Sequence, residues 1–503
     1  MKRLYLVSAG VAFVALSALV LIVGSGAFAA AQERTVRYRT IAEAMTPVTA
    51  PTASVGWQEA VRPLARPFTD ADRHIVGQAL GQAWRAHATA SASGEALLLQ
   101  DYFSGVALER AELSAREAHA GRTRLAVLEQ VAAPAFYHLD GSVLQVETEA
   151  LSARFAMDES GLSQFALTRD RLTTTLMNET TGWRVFLHEM TGSTPLTRLA
   201  APHVSAGRLS GLNYYPAKTP WRRFWPEFDA GIVARDLDRV SGLGANAVRI
   251  FLSTEDFAEG SVAIGHLQTF LGLARDRGLR VVPTLFDMRQ GYEAALWSAD
   301  AAWLRRVLPV LARSDAIAYV DLKNEPDLDF AAHGPALVEA WLRTMAALSR
   351  EIAPALPLTV GWAEAAPAAR FASLVDVVSY HDYAPLDGTA ERLAAVRAAA
   401  GARPVHVTEI GASSYQVLGG FPGSPDAQAR ALETRLAALA QADGVFVWTL
   451  HDFEAPDALA VGSSAWTRAL QGRFGLFAPD GSPKPAAGVT KAAFRARGDH
   501  PSE

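Results

Sequence analysis

Two rhythms of apolar and polar positions divide the chain. From residue 207 onward, eight short apolar runs recur, at 207–215, 247–252, 280–286, 317–323, 357–362, 375–380, 404–408 and 445–450. The stretches between them, such as 232–243, 301–312, 336–352 and 426–442, carry the period of an amphipathic helix. Near-continuous apolar runs alternating with helices read as parallel strands buried on both faces. Eight such units predict a closed (β/α)8 TIM barrel over about residues 207–495, within a catalytic-domain span of 200–497. No glycine-rich turn follows the first run, which argues against an open dinucleotide-binding sheet.

Upstream the pattern is different. Thr69 or Asp70 can cap a helix that runs past Trp84, and a second helical pattern covers 94–120. Alternating segments follow at 123–131, 135–139, 142–155, 167–177 and 182–189, with a turn signal at Asp140-Gly141. Helices followed by an antiparallel sheet make a smaller α+β domain, bounded at 67–192. Its order, with Asp101-Tyr102-Phe103-Ser104-Gly105 on a helix and Gly182-Trp183-Arg184-Val185-Phe186-Leu187 as the last strand, resembles the cone-shaped nuclear-transport-factor-2-like domains over residues 68–190. Such domains bind small ligands, catalyse or dimerise. No acid–base pair stands out here, so a packing module, or a contact for a protein partner or second copy, is expected. Trp84 and Trp183 are expected in its core.

The N-terminus adds a compartment. Met1-Lys2-Arg3 precedes an uncharged run over 4–31, which reads as a signal anchor or a signal peptide. Residues 4–23 are long enough to cross a bilayer, while Ala27-Phe28-Ala29 offers a small-residue cleavage site. Either fate exports the remainder, anchored in the inner membrane facing the periplasm or secreted. Residues 32–66, rich in Ala, Pro and Thr, read as a linker.

Composition narrows the chemistry. Half of the 503 residues are apolar and a fifth charged, and the formal charge of −5 provides no basic field for nucleic acid. With no cysteine there is no disulfide, thiolate metal site or cysteine nucleophile. No residue cluster has trustworthy metal-ligand spacing, and no cofactor is implied.

Candidate chemistry sits at strand ends. Glu325 closes the fourth run, in Lys323-Asn324-Glu325-Pro326, and Glu409 closes the seventh, in Val407-Thr408-Glu409-Ile410-Gly411. A barrel gathers the C-terminal ends of its strands around one site, so the two carboxylates can face each other. Paired carboxylates are what glycosidic cleavage requires.

At these residues the chain resembles the clan A glycoside hydrolases, and within them the cellulase and β-mannanase type family. Asn324-Glu325-Pro326 is similar to the clan's acid/base motif and Thr408-Glu409-Ile410-Gly411 to its nucleophile strand. Arg249, His381, Tyr383 and Trp448 match its second-, sixth- and eighth-strand positions, and 475–485 its closing segment. The resemblance implies a retaining β-glycoside hydrolase acting on a β-linked polysaccharide or oligosaccharide. Glu325 would be the acid, its pKa raised by burial beside a second carboxylate, and Glu409 the nucleophile. Arg249 would orient Glu409, Asn324 would meet the sugar 2-hydroxyl, and Tyr383 would touch the nucleophile. His381 would orient a hydroxyl or the acid, and Trp448 would floor the sugar.

Trp221, Trp225 and Trp362 are candidates for further sugar platforms or for loop packing. Asp287, Asp382, Asp452 and His451 lie near strand ends and are expected to be solvated or to brace loops. The glycan, and endo against exo action, are not legible. A transglycosylase using the same glutamates, or a non-catalytic carbohydrate-binding scaffold, are the alternatives.

Overall fold

A computed structural model describes residues 55–180, 182–196, 204, 207–417 and 423–498. The leader expected at 1–31 and most of the expected linker lie outside the described residues. Residues from Thr52 onward form one compact unit.

Helix Asp70–Ser93 opens with a capping box: the Thr69 hydroxyl accepts from the Asp72 N–H (3.2 Å), and the Asp72 carboxylate accepts from the Thr69 N–H (2.8 Å). Gly94, at φ +81°, ends it in a left-handed turn. The next helix runs only over Gly105–Ala120, later than the pattern from 94 predicts. That turn redirects the chain into a 3-10 segment, Leu97–Asp101, first.

A five-stranded sheet follows, in the order β1 (Gly56–Trp57), β2 (Thr123–Tyr137), β3 (Val143–Asp158), β4 (Gly161–Glu179) and β5 (Gly182–Pro195). The pairs from β2 to β5 are antiparallel, and β1 is parallel to β2. Segments 123–131 and 135–139 prove to be one strand. A register shift just after Pro134 accommodates a residue with no N–H to give. Residues 55–57, expected in the linker, instead join the sheet edge. Val55 is buried, and the Trp57 indole packs edge-on against Phe68 and donates to the Arg73 carbonyl (3.0 Å).

The sheet buries both faces. Leu144 and Val146 of β3 join Val76 and Leu80 under the two helices. Further along the same strand, Leu151, Ala153 and Phe155 point the other way and join the core of the C-terminal part. There Phe155 stacks on the fully buried Trp297, with ring centroids 4.9 Å apart. Arg305 pairs with Glu129, and Arg169 with Glu351, at the margin of this contact. These ion pairs are partly exposed and add little; the buried aromatic stack carries the contact.

The C-terminal part is a closed barrel of eight parallel strands: β6 (Leu209–Asn213), β7 (Ala247–Phe251), β8 (Arg280–Thr284), β9 (Val320–Asn324), β10 (Leu358–Trp362), β11 (Val378–Asp382), β12 (Val405–Ile410) and β13 (Gly444–Val447). Each falls on one of the eight apolar runs. Leu212, Val248, Val281 and Val320 face the helical ring. Leu209, Ala247, Val282, Tyr319, Val377 and Phe446 fill the base of the barrel as a separate cluster. Burial on both faces is why the runs are nearly unbroken. Toward the strands' C-terminal ends the interior turns polar, and there the site lies.

Because the sheet and the barrel share a core, Phe155→Ala is expected to cost about 3–5 kcal/mol. Calorimetry should record one cooperative transition for residues 55–498, shifted as a whole to lower temperature. Two separate transitions, only one of them moved, would contradict the shared core.

Candidate active site

Arg249, on β7, lies at the centre of the polar end of the barrel with no exposed surface. Its five N–H bonds are matched by five contacts. Nε and one terminal nitrogen donate to Asp321 Oδ2 (3.2 and 2.7 Å). The same terminal nitrogen donates to Asn324 Oδ1 (2.8 Å), and the other to Asn213 Oδ1 (3.0 Å) and Glu409 Oε1 (2.6 Å). Burial alone would lower the guanidinium's pKa, but Asp321 and Glu409 outweigh it and raise it further. One cation therefore ties together β6, β7, β9 and β12.

Glu409 accepts on both oxygens, from Arg249 on Oε1 and from the Tyr383 hydroxyl on Oε2 (3.0 Å). Glu325 follows β9 in the left-handed region (φ +47°), with its N–H bonded to the Gly361 carbonyl (2.7 Å). Such a conformation is unfavourable for a side chain bearing Cβ and marks a position under strain. His381 Nδ1 lies 2.7 Å from Glu325 Oε1, and its Nε2 lies 3.7 Å from Glu409 Oε1. Donor atoms of Glu325, His381 and Glu409 all fall within 4.8 Å of one another. Six of the predicted residues thus meet at one end of the barrel in two adjoining hydrogen-bonded groups, Arg249 with Asn324, Glu409 and Tyr383, and Glu325 with His381, the two separated by 3.7 Å between His381 Nε2 and Glu409 Oε1.

The expectation of a raised pKa at Glu325 is corrected. Burial pushes its carboxyl up, but the hydrogen bond and charge of His381 pull it below its ordinary value. The imidazole moves oppositely. Burial lowers it, and the two glutamates, Glu409 foremost, outweigh that and raise it. The shared proton favours His381 over Glu325.

A cleft of about 480 Å³ opens above these groups. Trp448 lines it, and Tyr215, Trp221 and Phe251 extend an aromatic wall. Trp225 and Trp362 are not platforms. Trp225 is buried against Phe228 with its N–H on the Phe251 carbonyl, and Trp362 stacks on Phe371. Asn324 faces the cleft with its Oδ1 taken by Arg249, so its amide nitrogen is the atom left to donate.

Asp287, Asp382 and Asp452, expected to be solvated or to brace loops, are all buried. Asp382 binds Arg392 and Arg435, and Asp452 binds Lys484 and the Gly475 N–H, both bracing loops. His451 pairs with Asp236. Asp287 differs from them, because it lines the cleft and accepts from the Tyr215 hydroxyl (3.0 Å). Its carboxyl is pushed up to about 6, chiefly by burial.

Several working residues were not singled out in the sequence: Asn213, Tyr215, Asp321 and Gly361. Asp321 anchors Arg249 and also accepts from Thr284 and the Gly361 N–H. A side chain at Gly361 would press within 2.8 Å of Asp321 Oδ2 and 3.0 Å of Arg249, so only glycine leaves room for the pair. A charged residue in the middle of an apolar run was the available signal for Asp321. The converging acids and imidazole could in principle hold a cation. However, Arg249 and Tyr383 already occupy both oxygens of Glu409, and the guanidinium opposes a second positive charge there.

Two measurements test this geometry. Glu325→Gly should be more stable to urea than Glu325→Ala by about 1 kcal/mol, because only glycine adopts φ +47° without penalty; equal stabilities would deny the strain. At Asp287 the folded state holds its proton more tightly than the unfolded chain. The resulting stabilisation is complete below the ordinary aspartate pKa and is lost as pH rises toward 6. Urea unfolding between pH 4 and 6 should therefore show a decline of about 2 kcal/mol that Asp287→Asn removes. Parallel pH curves for the two proteins would refute it.

No protein-family model and no curated protein matches the chain. Solved structures do. A GH5_18 protein from Streptomyces cattleya in complex with GlcNAc is 22% identical, with a TM-score of 0.48, over 60% of this chain and 82% of its own. Exo-beta-1,4-mannosidase Op5Man5 from Opitutaceae bacterium strain TAV5 is 22% identical, with a TM-score of 0.49, over 59% of this chain and 61% of its own. A GH2 beta-galacturonidase from Eisenbergiella tayi bound to galacturonate is 16% identical, with a TM-score of 0.46, over 74% and 72%.

Proposed function

We propose that the chain is a retaining β-glycoside hydrolase, with Glu409 as nucleophile and Glu325 as acid/base. The observation that carries this reading is the meeting of two strand-ending carboxylates, one oxygen of each within 4.8 Å of the other, at the floor of an aromatic-walled cleft. Retaining pairs stand about 5–5.5 Å apart, whereas inverting pairs need about 6.5–9.5 Å to admit a water.

The chemistry follows from the contacts. As an acceptor on both oxygens, Glu409 is held as a carboxylate aimed from β12. It attacks the anomeric carbon while the Glu325 carboxyl protonates the departing glycosidic oxygen. His381, at 2.7 Å, is the group positioned to return the shared proton to Glu325 when a sugar enters. In the second half-reaction Glu325 takes a proton from water, and that water displaces Glu409 with net retention. The Asn324 amide suits the 2-hydroxyl, Trp448 forms the apolar floor, and Asp287 offers an acceptor to another ring hydroxyl. The leader supports export, which would put the glycan outside the cytoplasm.

A panel of β-linked glycans and aryl β-glycosides tests the reading, with the released anomer followed by NMR. Glu325→Gln is expected to lose about 10²–10⁴-fold in kcat on substrates with poor leaving groups, and Glu409→Ala to lose essentially all turnover. Azide should restore Glu325→Ala as a β-glycosyl azide and Glu409→Ala as an α-glycosyl azide. Inverted product, or a Glu409→Ala enzyme as fast as the parent, sinks the assignment. Transfer product in excess over reducing ends would instead mark a transglycosylase, and glycan binding without turnover a scaffold.

A further inference from the structure

The α+β part encloses a second cavity, of about 300 Å³, far along the chain from the glutamates. Its roof is formed by helices Asp70–Ser93 and Gly105–Ala120, and its floor by the concave face of β2–β5. Phe103, Leu125, Leu172 and Met190 supply apolar walls. The remainder of the lining is polar in a way that packing alone does not explain. Asp170, only 1% exposed, accepts from Arg154 (2.7 Å) and Ser193 (2.6 Å). His87, 7% exposed, shares its Nε2 with the Ser114 hydroxyl (3.3 Å), while its buried Nδ1 has no hydrogen-bond partner. His188 lies beyond Trp84, with Nδ1 on Thr174 (2.9 Å). At the exposed rim, Arg110 makes no ion pair among the described residues.

Each of these features opposes stability. A cavity forfeits dispersion contacts along its lining. A buried nitrogen without a partner costs about 1–3 kcal/mol. A buried ion pair is often no better than apolar residues of the same volume. A module kept only to pack against the barrel would have filled this space with apolar side chains, as the sheet's other face does with Leu128, Leu151 and Phe155. A ligand that fills the cavity removes the first cost.

The charges narrow the class. Burial keeps both imidazoles neutral, lowering His87 and taking His188 to about 4. Two guanidiniums, Arg110 and Arg154, then face one carboxylate, Asp170, and leave one positive charge at the mouth.

We propose that this cavity binds a small carboxylic acid with an apolar body, its carboxylate at Arg110 and a hydroxyl or carbonyl at its inner end reaching His87. The volume admits about a dozen non-hydrogen atoms, the size of an aryl-substituted short acid. The site is separate from the glutamates and does not rest on the proposed hydrolysis.

The test uses the full chain and 4-hydroxycinnamate, with calorimetry and Trp84 fluorescence as readouts and the methyl ester as the uncharged control. Saturable one-to-one binding is expected. Arg110→Glu, at an exposed position, should weaken it about tenfold or more, and loss of the charge in the ester should do the same. Ala111→Phe, which fills the cavity, should abolish it, with circular dichroism checking that this variant folds. Turnover of any glycoside by Arg110→Glu should match the parent. Absence of saturable binding at millimolar 4-hydroxycinnamate overturns the proposal. So does binding that Arg110→Glu leaves unchanged, or that prefers the ester.

Discussion

A single buried guanidinium organises the active end of this barrel. Moving Arg249 out of water costs several kcal/mol, and no solvent reaches it to offset that. The structure meets the cost by surrounding it with Asp321, Glu409, Asn213 and Asn324, so that every N–H has an acceptor. Everything else in the site inherits that arrangement. Glu409 is aimed because one of its oxygens is held, Asn324 presents nitrogen because its oxygen is taken, and β10 carries glycine at 361 because the cluster needs the space. The polar groups are held in place by one another, as electrostatic preorganisation requires.

The barrel was readable from sequence because a strand buried on both faces leaves an unmistakable run, and eight of them leave little choice of architecture. The two glutamates were readable because strand ends converge in that architecture. What depended on partners across the barrel was not readable. Asp321 sits in an apolar run with nothing to announce that it faces Arg249, and Asp287 sits in a loop with nothing to announce Tyr215. Trp225 and Trp362 have the composition of sugar platforms, and only packing decides that they are core. The proton's preference for His381 over Glu325 is likewise a matter of 2.7 Å, which linear sequence does not encode. In the α+β part, alternation was read correctly as strand, but the break at Pro134 was only a bulge, and Gly94 delayed a helix.

The two halves also divide their polar residues differently. The barrel concentrates charge at one end, around Arg249, whose every N–H has an acceptor, although His381 Nε2 there has no hydrogen-bond partner. The α+β part keeps polar groups beneath its helices and leaves one imidazole nitrogen unmatched. Fully satisfied networks rigidify a core, whereas a gap in one is where an incoming molecule can be recognised.

The β3 face bearing Phe155 packs against helices Trp297–Ala312 and Pro335–Ile352, which flank β9 on either side along the chain. Those two helices therefore have no side turned wholly to water, and the rib carrying Glu325 is splinted from outside. Among the described residues, the α+β part makes its large contacts on the β9 side of the ring. A cleft built this way has one wall backed by a second layer of protein, so substitutions behind Glu325 must satisfy two cores at once.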